Sequence, residues 1–334
     1  MVTKAWARRG CLPLRIRPQL TDAELEKVSP FLAPLVGQMA QTGIGTDHCL
    51  AHQGLPMPVH FYSPVPDLAD LERRGVWDQR SELVGLDFNV GEQLKLLQQL
   101  GGSYSAECNW PTAPAADRGA FYTENSSFSY SCAAPLHCLI RCHKPRRLVE
   151  VGSGNSSLVI SAALTLNKHD QPEAKTEYTI VDPYPNSRIK NGLPCLTQLI
   201  QQPVESLPLP FFSQLGRGDI LFIDSGHTVR IGSDVNFLIL EVLPRLAPGV
   251  LIHFHDIPMP GEYSKGYATN SRFRQFWTES YLLQAFLCFN SQFEILLAMG
   301  HLMANHRDAF QRAFPLYDPA RHLLTSQSFW IRRK

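Results

Sequence analysis

Hydrophobic and polar positions follow a regular alternation only from Ser131 onward. There, short runs of consecutive apolar residues alternate with stretches of helical periodicity. Ala133–Cys142 predicts a helix, Arg147–Val151 a strand, Ser156–Leu166 a helix and Glu177–Val181 a strand. Further strands are expected near Leu199–Val204, at Asp219–Ile223 and at Val250–Phe254, with a helix over Asp234–Leu246. Apolar strands spaced by helices belong to a parallel sheet covered on both faces. After an amphipathic helix from about Arg272 to Phe289 come a strand at Phe293–Ala298, a helical excursion holding His301 and His306, and a last strand at Ser326–Ile331. The excursion is too short for another complete helix-and-strand pair, so the last two strands are expected as an antiparallel hairpin at the sheet edge. The expected class is a doubly wound α/β fold, mostly parallel, with an antiparallel C-terminal strand.

The first 118 residues lack that rhythm. Short helices are expected at Asp22–Val28 and Val90–Leu100, and the aromatic, Pro-rich piece His60–Trp77 reads as a segment that wraps on another surface. Pro111–Ala116 is the best linker, giving an irregular, partly helical cap over 1–118 and a second domain over 119–334. A length of 334 residues suits one catalytic domain plus such an elaboration. The net charge of +1 gives no general attraction to nucleic acid or an anionic membrane, and no stretch approaches a membrane span, so neither is expected as a partner. The eight cysteines are scattered without a CxxC pair, as reduced thiols in a cytoplasmic protein would be. Cys138 and Cys142 share a helix face and could hold a metal with His137 or His143, but buried core thiols are the plainer reading. Lys4, Arg8, Arg9, Arg15 and Arg17 give the first twenty residues the composition of a transit peptide. Two prolines and the lack of an apolar run favour an irregular basic N-terminus instead.

The sharpest local signal is the loop Glu150-Val151-Gly152-Ser153-Gly154-Asn155-Ser156-Ser157, between the first strand and the next helix. Its glycines permit a tight turn and close approach of a ligand, and Ser156 and Ser157 can cap the helix. A dinucleotide loop would carry a third glycine and seat a pyrophosphate, which Glu150 would repel. An acid here suits a positively charged ligand such as the amino group and sulfonium of S-adenosylmethionine. Asp182 closes the second strand, where a carboxylate can accept from both ribose hydroxyls. Asp224 and Asp256 end the fourth and fifth, so four acids are expected on one sheet edge as the wall of a binding crevice. Asp224 and Asp256, with His227 and His255 beside them, can also hold a divalent ion. His253 alternates with His255 and can simply be packed.

The run Arg147–Asp256 resembles the class I S-adenosylmethionine methyltransferases: Glu150-Val-Gly-Ser-Gly154 looks like their first motif, Asp182 like their ribose acid, and Asp224 like the acid after strand four. The terminal hairpin resembles their reversed seventh strand. Asp219–His227 and Leu243–Ile257, with Phe61-Tyr-Ser-Pro64 and Tyr122-Thr-Glu-Asn125, resemble a bacterial subfamily of small-molecule or polysaccharide-cluster methyltransferases. The resemblance implies a seven-stranded Rossmann-like sheet and a cofactor site built from Glu150, Gly152, Ser153, Gly154, Asn155, Ser156, Asp182 and Asp224. It also implies O-methylation of a small molecule or saccharide, with His227, His255 or Asp256 as catalytic groups. Tyr122 and Asn125, with the N-terminal part, are then expected to cover the site and shape the acceptor pocket. Catechol-type O-methyltransferases and the cephalosporin hydroxylase group place a divalent ion on the acids after strands four and five. Mg²⁺ or another divalent ion is thus expected on Asp224 and Asp256, with His255 as a third ligand, although an acid before Asp256 or an amide after it would be more typical. Two other classes stay open: a hydroxylase with iron at His227, His255 and Asp256, and a non-catalytic binding module. A homo-oligomer is compatible with all three.

Overall fold

The computed structural model describes residues 20–52, 54–114, 120–269, 274–322 and 326–334. The basic N-terminal segment, the end of the expected linker, the boundary drawn at 118 and the expected helix start at Arg272 lie outside them.

Seven segments pair into one sheet: β1 Arg147–Val151, β2 Glu177–Val181, β3 Leu196–Ile200, β4 Ile220–Ile223, β5 Leu251–Phe254, β6 Phe293–Ala298 and β7 Phe329–Arg333. Their order is β3-β2-β1-β4-β5-β7-β6. β1 to β5 run parallel, while β7 is antiparallel to both of its neighbours. The expected terminal hairpin therefore exists, with its reversed strand slotted inside the sheet and β6 at the edge. The order reverses between β1 and β4, and at such a switch point the loops leaving the strand ends diverge and open a crevice.

Strand alternation sorts the side chains into two cores. Leu148, Tyr178, Ile180, Phe222, Leu251 and Trp330 join one; Val149, Val151, Val181, Leu221, Ile223, Ile252 and Phe254 join the other. The first core is roofed by helices α1 Val90–Tyr104, α2 Tyr130–His143 and α3 Asn155–Asp170. The helical run 234–245 and helix α4 Glu279–Leu287 contribute to the second. The third strand begins three residues earlier than its expected start at Leu199, and Val204–Ser206 is a 3₁₀ turn. Helix α3 extends four residues beyond Leu166, and the run 234–245 has a π segment at Phe237–Val242. Helix α4 occupies only the second half of the expected Arg272–Phe289 segment.

The chain divides into two compact units, Met1–Gly75 and Val76–Lys334. The first carries a helix over Asp22–Thr42, much longer than the expected Asp22–Val28 and containing Pro30 and Pro34. A capping box between Thr21 and Glu24 starts it, and Gly43 at φ +70° ends it. The second unit contains the whole sheet together with α1, so the division drawn at 118 falls within it. Among the described residues no helix is long and apolar enough to cross a membrane.

Candidate active site

The loop after β1 begins at Gly152, whose φ is +80°. Its amide donates to the Val181 carbonyl at 2.9 Å, tying the loop to the end of β2. A Cβ at Gly152 would lie 1.8 Å from the Asp224 carbonyl oxygen, so two strand ends meet across a gap only glycine allows. Gly154 differs: its backbone is extended, and a Cβ there would meet nothing within 4 Å. Its amide donates to Ser157 Oγ at 3.0 Å.

Asp182 stands at the end of β2, half-buried. One of its oxygens accepts from the Tyr184 amide at 2.7 Å and the other from Ser153 Oγ. Asn155 turns away from the loop: its amide nitrogen donates to Asn125 Oδ1 at 3.1 Å and Ser127 Oγ at 2.9 Å. Asn125 in turn accepts from the Phe128 amide at 2.7 Å and donates to the Tyr122 carbonyl, so Asn155 fastens the Tyr122–Phe128 turn beside the loop.

Glu150 departs from the expected crevice wall of four acids on one sheet edge. It is the penultimate residue of β1 and faces the covered core, so it is fully buried. Ser156 and Ser157 donate to one carboxyl oxygen at 2.7 and 3.0 Å, and Tyr178 Oη lies against the other. Burial pushes its carboxyl up to about 8, against the pull of these hydrogen bonds. It is a buttress under the glycine loop, and Ser156 is turned inward with it. The expected crevice wall therefore loses Glu150 and keeps Asp182, Asp224 and Asp256.

Asp224 follows β4 and Asp256 lies two residues past β5; their side chains are 29% and 15% exposed. Between them stands His227, with Nε2 at 3.2 Å from Asp224 Oδ1 and 3.4 Å from Asp256 Oδ2. His227 Nδ1 lies 2.8 Å from Oε2 of Glu279 on α4, a residue that sequence reasoning missed. His227 and Asp256 both have positive φ, at 54° and 57°. A side chain in that region is uncommon and is held there by its surroundings. Burial alone would depress the His227 imidazole, but the hydrogen bonds to Asp224 and Glu279 carry it up to about 10. Burial works against charge on Asp224, yet His255 and His227 beside it hold its carboxyl well below the usual range.

His255 is buried with its Nδ1 3.4 Å from Asp256 Oδ2 and 3.7 Å from Asp224 Oδ2, its ring against Phe128. His253 is packing: it stacks on Phe222 at 4.1 Å and meets Ser328 Oγ at 2.7 Å. Cys138 lies 3.8 Å from Cys108, and His137 pairs with Glu107, so neither joins Cys142 in a metal site. Among the described residues, the group whose donor atoms converge within 4.8 Å is Asp224, His227 and Asp256, with His227 where His255 was expected.

Residues 149–257 match the family described as a methyltransferase domain. An uncharacterised protein of Archaeoglobus fulgidus is 34% identical over 165 residues, which cover 47% of this chain and 72% of that protein. Among solved structures, a methyltransferase of Podospora anserina bound to SAH is similar at 17% identity and a TM-score of 0.37, over 80% of this chain and 95% of that one. A protein described as a putative protein-L-isoaspartate O-methyltransferase from Plasmodium falciparum, in complex with S-adenosyl-L-homocysteine, is similar at 15% identity and a TM-score of 0.28, over 56% of this chain and 81% of that one. The domain match runs from the third residue of β1 to just past β5, with the glycine loop and the acids of the cluster, on a sheet whose seventh strand is reversed. The chain belongs to the class I S-adenosylmethionine-dependent methyltransferases.

Proposed function

We propose that the chain binds S-adenosylmethionine at the switch point and methylates an oxygen of a small molecule or saccharide beside it. One observation carries this reading. The open glycine loop between β1 and β4 is flanked on one side by Asp182 and on the other by the Asp224–His227–Asp256 cluster, so a cofactor site and a proton-handling site adjoin. The protein itself needs Gly152, but nothing in its own packing requires Gly154. The empty space above Gly154 suits the close approach of a ligand. Each oxygen of Asp182 accepts one hydrogen bond from the protein and keeps a lone pair for a ribose hydroxyl.

S-adenosylmethionine would supply an electrophilic methyl on a sulfonium; the residues must align an acceptor with it and take the acceptor's proton. Asp224 and Asp256 are the more exposed members of the cluster and the first groups such a proton would meet, with His227 and His255 packed behind them. A divalent ion, Mg²⁺ or another, on these two carboxylates would lower the acceptor's pKa. A saccharide or small-molecule acceptor fits an aromatic wall at this place, since Trp277 packs 4.6 Å from His227 and Tyr267 packs 4.4 Å from Trp277.

Titration calorimetry with S-adenosylmethionine tests the reading. Saturable binding in the micromolar range is expected. Asp182→Ala should weaken it at least about tenfold, the loss of one or two hydrogen bonds to a charged acceptor. Formation of S-adenosylhomocysteine, screened over phenolic and saccharide acceptors, then identifies the substrate. No binding, or binding unaltered in Asp182→Ala, overturns it.

A further inference from the structure

We infer that His227, through Nε2, is the third protein ligand of a divalent cation shared with Asp224 and Asp256, and that Glu279 is the buried carboxylate that positions it. The expected third ligand, His255, has its Nδ1 3.7 Å from Asp224 Oδ2, farther than the 3.2 Å of His227 Nε2 from Asp224 Oδ1, and is not a member of the converging group. Ile257, which follows Asp256, is an apolar core residue and offers no donor. The place next to the two aspartates is instead taken by His227, whose Nε2 and the aspartate oxygens lie within 4.8 Å of one another. Octahedral or tetrahedral coordination at metal–oxygen and metal–nitrogen distances of roughly 2.0–2.2 Å separates ligand atoms by about 3–4.4 Å, so the cluster closes on an ion with small movements.

Three features set His227 up for this task. The Glu279 carboxylate accepts from Nδ1–H, so an ion arriving at the aspartates would displace only the Nε2 proton and take that lone pair, the pairing that metal-bound histidines use. The amides of Thr278 and Glu279 both donate to the His227 carbonyl, at 2.9 and 3.1 Å, so Glu279 holds the side chain and, with Thr278, the backbone. Trp277 closes the face of the ring.

A second, independent observation points to a ligand. His255 is 4% exposed, and neither of its ring nitrogens has a hydrogen-bond partner of proper geometry, although Nδ1 faces the two carboxylates. Glu279, 1% exposed, has a second oxygen with no partner either. Buried polar groups are rarely left so, and the unpartnered His255 Nδ1, facing both aspartates, marks this place as one completed by a further group. One imidazole with two carboxylates favours a first-row transition ion such as Mn²⁺ over Mg²⁺ or Ca²⁺.

For what the ion does, the inference rests on the methyl-transfer reading; for the ion's binding, it does not. The test uses the full chain, stripped with EDTA and titrated with Mn²⁺ by electron paramagnetic resonance. One Mn²⁺ per chain is expected, with nitrogen coupling from an imidazole in pulsed spectra. Glu279→Gln, nearly isosteric, should weaken Mn²⁺ roughly 10–100-fold, the usual effect of losing a carboxylate behind a ligating histidine. His227→Gln should abolish the nitrogen coupling, while His255→Gln should keep it. Absence of saturable Mn²⁺ binding, a wild-type spectrum without nitrogen coupling, or coupling lost only in His255→Gln overturns the ligand assignment. Unchanged affinity in Glu279→Gln overturns the role of Glu279. Calorimetry with S-adenosylmethionine on the same samples separates the two readings: Mn²⁺ binding without cofactor binding defeats methyl transfer alone, and the reverse defeats the metal site alone.

Discussion

A methyl group added at Gly152 would lie 1.8 Å from the Asp224 carbonyl oxygen, at a residue whose φ is +80°. Added at Gly154, it would meet no protein atom within 4 Å. The two glycines of one loop thus answer to different demands, the first to the fold and the second to whatever lies above it. Gly152→Ala is expected to lower stability by about 3 kcal/mol or more, through overpacking and backbone strain. Gly154→Ala is expected to leave the melting temperature within about 2 °C of wild type while weakening S-adenosylmethionine at least about tenfold. Thermal melts and calorimetry on the two variants check this; a Gly154→Ala chain that binds the cofactor normally would empty the space above the loop of its meaning. The same residue scale decides what was legible in the sequence. Asp182, Asp224 and Asp256 could be found because each stands where an apolar run stops, and apolar runs end at the sheet edge. Glu150 sits one residue too early for that, and strand parity turned it into the covered core. Glu279 left no signal: it lies 52 positions from His227, in an ordinary helix, and only the folded chain brings the two together.

Strands and helices are joined at the site by that same misplaced acid. Glu150 on β1 receives hydrogen bonds from Ser156 and Ser157 on α3 and contacts Tyr178 on β2, so one buried carboxyl fastens three elements beneath the glycine loop. Burial raises its pKa in the folded chain to about 8, above the value near 4.5 of a solvated glutamate. The folded state therefore holds a proton that the unfolded state has released between those two values. The sign follows: the group's contribution is fully present below about pH 4.5 and is lost as pH rises through about 8. Glu150→Gln, which mimics the protonated acid, should flatten this part of the stability profile, whereas Glu150→Ala should cost about 3 kcal/mol by leaving Tyr178 and the two serines without partners. Denaturant unfolding from pH 5 to pH 9 on wild type and Glu150→Gln measures it, and parallel profiles would refute a buried protonated carboxyl. At this scale the sequence was most readable where periodicity is clean. The bounds of β1, β2 and β6 follow directly from their apolar runs. β3 did not, because its burial is partial and its polar positions blur the run. The reversed strand was foreseen from the short excursion before it, but its insertion between β5 and β6 depends on long-range pairing that no local pattern encodes.

At the scale of the whole molecule, the two compact units differ in what holds them. None of the described residues before Phe88 is buried, while the second unit carries both cores and every strand among the described residues. Phe31, Ile44, Phe61 and Tyr62 in the first unit are all more than two-thirds exposed, so that unit contributes little hydrophobic stabilisation of its own. The sequence's lack of regular alternation before residue 118 mixed two cases: α1 at Val90–Tyr104 is amphipathic and belongs to the large core, whereas residues before Val76 do not. A chain that starts at Val76 should therefore unfold in one cooperative transition, with a melting temperature within about 5 °C of the full chain, because the buried area that drives folding is nearly all retained. Its affinity for S-adenosylmethionine should stay within about threefold of the full chain, since Gly152, Gly154 and Asp182 and the elements that hold them lie after Val76. Turnover of the acceptor need not survive, and its loss with cofactor binding intact would assign residues 1–75 to substrate capture. If the shortened chain instead aggregates or melts without cooperativity, the first unit stabilises the fold in a way its exposed apolar residues do not reveal, and the division at Gly75 is not one of independent stability.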